Sequence, residues 1–207
     1  MAVPLRYHRC LLCAHGPVNK PSAGAGAVTS PPRTLQGGGL LLRPYRAGDE
    51  AAVHEAAVES ITEVAPYETW CHDGFTLEEA AAYARGWEES WQRGHAFYFA
   101  VLHEATARYL GSCGLCPVER DHGTAGLGFW VRTSAAGRGV ATAASRLVAG
   151  FGLEQLVLHR IELLIAVGNA PSRRVAEKIG AVYEGTLRKR LVLQGVPTDM
   201  AMYAVVR

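Results

Sequence analysis

"VRTSAAGRGVAT", residues 131–142, sets Arg138 among small residues at the junction of two patterns. A β-branched and aromatic run, "GLGFWV" (126–131), leads in, and a helical pattern, "ATAASRLVAGFGLEQL" (141–156), leads out. A strand that enters a helix through nearly bare backbone suits a ligand that touches the main chain. Phosphate groups at a helix start are the foremost such ligands.

Bulk properties bound what the rest can be. The chain has 207 residues, 49% hydrophobic and 19% charged, as expected of one globular domain with some length to spare. No apolar run approaches the ~20 residues of a membrane span. Four of the 21 basic residues (Arg6, Arg9, Lys20, Arg33) fall within residues 1–36, where there is no acid. The remainder holds 17 basic against 19 acidic residues, a poor balance for binding nucleic acid. Residues 1–36 include a Gly-, Pro-, Ala- and Ser-rich stretch without periodicity. They are expected to form a disordered tail, with a domain over residues 40–207. "CLLCA" is too short for a signal-peptide core, so the expected location is cytoplasmic.

The five cysteines include two C-x-x-C pairs, Cys10/Cys13 and Cys113/Cys116, with Cys71 alone. About a hundred residues separate the pairs, against ~15–20 in a typical four-cysteine zinc site. Residues three apart on a strand also face opposite sides, so Cys113 and Cys116 cannot easily share a metal. His8 and His15 beside the first pair keep a metal reading open there. Otherwise free thiols are expected, with Cys113 or Cys116 in the core and no metal site.

Strands and helices alternate through the body. "LLLRPY" (40–45), "AFYFAVLH" (96–103), "RYLGSCGLCPV" (108–118), "GTAGLGFWV" (123–131), "RIELLIAV" (160–167), "VYEGTLRKRLVL" (182–193) and "TDMAMYAVV" (198–206) read as strands. Helices are expected at 48–60, at 76–94 behind a Thr76/Glu79 capping box, at 140–155, and at 171–181. The third would bury Val140, Ala144, Leu147, Val148 and Phe151. Pro171 starts the fourth and Gly180 ends it. The expected architecture is a mixed α/β sheet of about seven strands with about four helices.

Two familiar phosphate loops fail on spacing. The dinucleotide pattern G-x-G-x-x-G/A has Gly137 and Gly139 but then Thr142, and the chain has no Gly-Lys pair for a nucleotide P-loop. What remains is G-R-G-V-A-T at a helix start, whose free amides suit a pyrophosphate. Gly139 and Ala141 keep side chains clear, and Arg138 either pairs with a phosphate or lies in solvent. A tight strand–helix connection with no ligand is the alternative.

The segment Ala136-Gly137-Arg138-Gly139-Val140-Ala141 resembles the CoA signature Q/R-x-x-G-x-G/A of the GCN5-related N-acetyltransferases (GNAT), with Ala136 in place of the leading Gln/Arg. "LGFWVRTSAAGRGVATAA" and "LHRIELLIAVGNAPSRRVAEKIGAVYEGTLRKR" are similar to the branch that acetylates ribosomal-protein N-termini. Its N-x-x-S motif reads Asn169-Ala170-Pro171-Ser172, and its C-terminal G…D…Y pattern falls on Gly195, Asp199 and Tyr203. The resemblance covers residues 40–207 and is densest from 127 to 190. It implies the GNAT fold, with a mostly antiparallel sheet, and acetyl-CoA as acyl donor to a primary amine, either a protein N-terminus or a small amine.

That reaction needs a base for the amine, a donor for the developing oxyanion and an acid for the leaving thiolate. The resemblance implies that a backbone N–H among Phe129, Trp130 and Val131 is the donor. It also implies cofactor contacts from Gly137, Arg138, Gly139, Val140, Ala141, Thr142 and Asn169. Ser172 is the implied acid or a further cofactor contact, since Val175-Ala176 stands where many relatives carry a tyrosine. Asn169 and Ser172 also suit a plain helix start. A glutamate frequent in this branch is replaced by Gly126. The base is sought among Glu68, Asp73, Asp121 and His122, with Glu68 preferred for its place in the acceptor region. Tyr67, Trp70 and Phe75 either wall the acceptor pocket or belong to the core. The alternative function is a CoA-binding sensor or scaffold that has lost turnover. The partners expected are a small-molecule amine or a protein N-terminus, with no nucleic acid and no membrane, and a monomer or homodimer.

Overall fold

A computed structural model describes residues 33–207. The expected tail, with Cys10, Cys13, His8 and His15, lies outside the described residues except for its last four. Those already begin the sheet. Strand β1 (Leu35–Gly37) precedes β2 (Leu40–Pro44), so ordered structure starts before the expected Leu40. Gly38 and Gly39, with φ of +60° and +75°, form the two-residue turn that pairs Leu35 with Leu42. That Gly-Gly turn was the available signal. With one apolar residue on its outer strand, it carries no periodicity.

Next come α1 (Glu50–Glu59), the short α2 (Ile61–Val64), α3 (Leu77–Arg93), β3 (Phe97–His103), β4 (Tyr109–Glu119) and β5 (Thr124–Val131). They are followed by α4 (Val140–Gly150), β6 (Arg160–Ala166), α5 (Ala170–Lys178), β7 (Val182–Leu193) and β8 (Val196–Val206). The described residues thus hold eight strands and five α-helices, one more of each than expected. The added helix is the single turn α2. The Thr76–Glu79 capping box is present in full, and Gly180 follows α5 with φ +88°. Beyond α4 the expected helix continues as one wide turn, Phe151–Gln155.

The strand order is β1-β2-β3-β4-β5-β6-β8-β7, antiparallel throughout except for β5 against β6. The parallel pair is joined through α4, as a βαβ crossover must be. Both sheet faces are covered. Along β3, Phe97, Phe99 and Val101 enter the core under α4 and α5, while Tyr98, Ala100 and Leu102 enter the core under α1 and α3. This two-sided burial makes β3 read as a continuous apolar run. On β4, Cys113 and Cys116 fall on opposite faces, as their spacing requires. Cys71 and Cys113 are free thiols, whereas Cys116 is disulfide-bonded, contrary to the expectation of free thiols. No described helix is long and apolar enough to cross a membrane.

Strands β5 and β6 pair only at Thr124–Gly126 against Arg160–Glu162. Beyond that, β5 follows β4 up to Val131 and β6 follows β8 up to Ala166. The sheet therefore opens into a wedge. A register shift between Leu115 and Val118 adds twist on the β4 side.

Candidate active site

A cavity of about 640 Å³ fills this wedge. One wall is the end of β5, whose amides can be assigned by alternation. The Arg132 N–H donates to the Leu110 carbonyl at 2.8 Å across β4. Two-residue alternation in an antiparallel ladder then turns Trp130 toward β4 and leaves Phe129 and Val131 presenting N–H toward the opening. Trp130 lines the cavity, but its amide is not a free donor, and its indole N–H donates to the Tyr83 hydroxyl at 3.2 Å.

The loop from β5 to α4 is fixed from below. Arg132 is buried, and its guanidinium donates to Glu55 and Glu59 of α1 and to the Tyr109 carbonyl. The Ser134 N–H donates to Glu59 at 2.7 Å, the Thr133 N–H to the Ser60 hydroxyl at 3.0 Å, and the Thr133 hydroxyl to Glu63 at 2.8 Å. Held this way, the chain turns through Gly137 (φ +72°) and Gly139 (φ +81°) into α4. Gly139 is the N-cap and no side chain caps this helix. A Cβ at either glycine would meet nothing within 4 Å, so backbone angle, and not crowding, selects glycine here. The result is an uncapped helix start with open space before it, which fits a pyrophosphate.

Arg132, together with hydrogen bonds from Ser134, holds the Glu59 carboxyl down at about 2. A depressed carboxylate contributes stability above its unfolded value, near 4.5, and loses it as pH falls toward 2. Glu59→Gln is therefore expected to melt about 2–4 °C below the parent at pH 6, a loss of about 1 kcal/mol for a solvent-screened pair. Melting curves of the two proteins should converge between pH 4.5 and pH 2.

Of the other residues singled out in the sequence, Glu68, Tyr67, Phe129, Val131, Gly137, Gly139, Val140, Ala141, Thr142, Asn169 and Ser172 all line this cavity. Arg138 does not. It stands exposed at the crest of the turn, because Gly137 and Gly139 direct the backbone inward on either side. Asp73, Asp121 and His122 are also outside the lining, on exposed turns. Gly126 is buried opposite Glu162 where β5 and β6 still pair, so a side chain there would sit below the opening. Phe75 is core, and Trp70 lies on it and on Trp130 with ring centroids 5.6 and 5.1 Å away.

Asn169 caps α5, accepting the Ser172 N–H on its side-chain oxygen at 3.2 Å. Both residues line the cavity, and the Asn169 amide nitrogen and the Ser172 hydroxyl are the side-chain polar groups outside this capping bond. Arg174 and Lys178 also line the cavity, and sequence reasoning missed them. Their signal was the stripe 171/174/175/178, one face of a helix. The G…D…Y pattern is structural. Gly195 turns the β7–β8 hairpin, Asp199 accepts the Lys189 N–H, and the Tyr203 hydroxyl joins Arg173 to Glu177.

Glu68 is the carboxylate of most chemical interest. Burial pushes it up to about 7, against a hydrogen bond from the Trp70 side chain that lowers it. It is half-buried where it lines the cavity, and the packing around it takes part of the solvation from the anion. Cys71 is held at about 11 by burial and by Glu68, so it stays a thiol and is no nucleophile.

Residues 39–182 match the acetyltransferase (GNAT) domain family, which is more than half of the chain. The chain belongs to the GNAT acetyltransferase family. This GNAT chain is 33% identical over 121 residues to YdaF of Bacillus subtilis, provisionally assigned as a ribosomal N-acetyltransferase; the match spans 56% of this chain and 65% of YdaF, short of two thirds. It is 30% identical to the probable N-acetyltransferase YjcK of the same organism, over 64% of this chain and 74% of that one. Among solved structures, RimJ of Mycobacterium smegmatis in complex with CoA-disulfide superposes with a TM-score of 0.74 at 25% identity, covering 81% of each chain.

Proposed function

We propose that this GNAT protein transfers the acetyl group of acetyl-CoA to a primary amine, specifically the N-terminus of a polypeptide. The observation that carries this reading is the company Glu68 keeps: a carboxyl raised to about 7 lines the same cavity as the uncapped start of α4. A base near neutrality is what an amine nucleophile requires, and the helix start is what the donor's pyrophosphate requires. The polypeptide acceptor is supported by names among the relatives. Ribosomal-protein-serine acetyltransferase of Escherichia coli is 27% identical over 113 residues, and YdaF is also named for a ribosomal acceptor.

In this mechanism the α4 amides from Gly139 onward hold the pyrophosphate, and Arg174 and Lys178 add positive charge beside it. Glu68 accepts a proton from the ammonium form of the acceptor. The freed amine nitrogen bonds to the thioester carbon, and the N–H groups of Phe129 and Val131 hold the oxygen that gains charge. The C–S bond then breaks, the Ser172 hydroxyl gives a proton to the departing sulfur, and the second proton lost by the attacking nitrogen restores the Ser172 hydroxyl.

The reading is tested by thiol release from acetyl-CoA against free-N-terminus peptides, spermidine and an aminoglycoside. Release with peptides supports it. Tight acetyl-CoA binding without release for any amine would leave only a CoA-binding module. Ser172→Ala is expected to lower kcat by about 10²-fold, at the low end for a general acid because a thiolate is a fair leaving group. Its acetyl-CoA affinity should stay within a few-fold of the parent. Weakened affinity at unchanged kcat would make Ser172 a ligand contact only.

A further inference from the structure

The outer strand β7 carries three consecutive cations that the acetyl-transfer chemistry leaves unused. Leu187 pairs with Met200 and Leu191 with Thr198, so Arg188, Lys189 and Arg190 stand opposite Asp199 alone. Lys189 adopts φ +47°, a left-handed conformation unusual for lysine, and its N–H is tied to Asp199 Oδ1 at 2.7 Å. All three side chains are exposed, and none makes an ion pair among the described residues. A bulge of this kind re-aims side chains next to a site. Keeping three like charges together there costs self-repulsion that an anionic partner would relieve.

The bulge adjoins the acceptor end of the cavity. Leu193 and Met200, on the same hairpin, line the cavity and cluster with Leu191 and Tyr67. At the hairpin tip the Gln194 side chain donates to the Ala65 carbonyl at 2.6 Å, closing the hairpin onto the segment that carries Glu68. β7 is two strands away from β6, about 10 Å at the ~4.8 Å strand spacing, which an extended chain crosses in about three residues. Other charges nearby are already committed: Asp199 faces the bulge, and Glu184 further along β7 pairs with Arg160.

We infer that the acceptor is a polypeptide with acidic residues about three to five positions from its N-terminus, bound there by Arg188, Lys189 and Arg190. This rests on the acetyltransferase reading of the cavity. The charge order along the path is carboxylate inside, at Glu68, and cations outside. It matches an ammonium followed by acids. A polyamine would bring further positive charge onto the bulge.

The test compares peptides that carry Glu, Gln or Lys at positions 3–5, and a fourth with Glu only beyond position 12. Two proteins are used, the parent and the combined variant Arg188→Gln, Lys189→Gln, Arg190→Gln. The parent should show about tenfold higher kcat/KM for the early-Glu peptide than for the Lys peptide, as three screened charge pairs would give. The preference should shrink with added salt and vanish in the variant. Unchanged acetyl-CoA affinity of the variant, by calorimetry, checks its fold. If no peptide is turned over, the acetyltransferase reading has failed. Anisotropy of the labelled peptides on the CoA-bound protein then decides the bulge separately: tighter binding of the early-Glu peptide, lost in the variant, supports it. Equal binding of Glu and Lys peptides, retention of the preference in the variant, or equal use of the late-Glu peptide would overturn it. Displacement of the acidic peptide by an RNA oligonucleotide at similar charge concentration would overturn it too, by making the bulge a nucleic-acid contact.

Discussion

Gly139→Asp is expected to weaken acetyl-CoA binding by about 10²–10³-fold, measured by calorimetry, while leaving the protein folded. Two effects of opposite sign make this informative. Gly139 is the N-cap of α4 with φ +81° and no atom within 4 Å of a built Cβ, and aspartate tolerates left-handed angles better than most residues. Aspartate is also among the best N-cap residues, and its charge favours a helix start. The left-handed angle costs some strain that the charge at the helix start partly offsets, so the melting temperature should fall by only a few degrees. The same carboxylate takes the amides that would face the pyrophosphate and sets like charge against it. Loss of about 3–4 kcal/mol of charge-assisted hydrogen bonding corresponds to the stated range. Gly139→Asn has the same shape without the charge and should lose far less affinity. If Gly139→Asp binds acetyl-CoA as the parent does, the pyrophosphate does not lie on this helix start.

Glu68→Gln is expected to lower kcat/KM by about 10²–10⁴-fold, the range for removing a positioned general base. The pH profile supplies the sharper reading. Because the Glu68 carboxyl is raised to about 7, its basic form is scarce below that pH and dominant above it. Activity of the parent should climb as pH rises through about 7. A polypeptide α-amino group itself loses its proton near ~7.7–8.0, so a second rising limb belongs to the acceptor. In Glu68→Gln the first limb should disappear and the second remain. If the variant keeps both limbs and most of its rate, the amine reaches the thioester already neutral and Glu68 has no part in the proton transfer.

Short-range chemistry wrote much of the molecule into its sequence. The Thr76–Glu79 capping box and Gly180 after α5 both appeared where local rules put them, because their hydrogen bonds and φ angles close within a few residues. The loop from Gly137 to Thr142 was legible for the same reason: left-handed glycines and an uncapped helix start are local events. β1 escaped because its single apolar residue gains its meaning from pairing with Leu42.

The site itself was a matter of long-range packing. Burial raises the Glu68 pKa, and most of the cavity that it lines is built by β5, α4, β6 and α5, which lie far from it in the chain. Asp73, Asp121 and His122 have suitable side chains but stand on exposed turns away from the cavity. Arg132 became the anchor of the loop only because α1 places Glu55, Glu59 and Ser60 beneath it, about seventy residues back in the chain. Composition and spacing thus determined most of the elements and the glycine turn into α4. The wedge between β5 and β6, and with it which of the acidic candidates lines the cavity, was decided by tertiary structure, since strand splay is a property of neighbours distant in sequence.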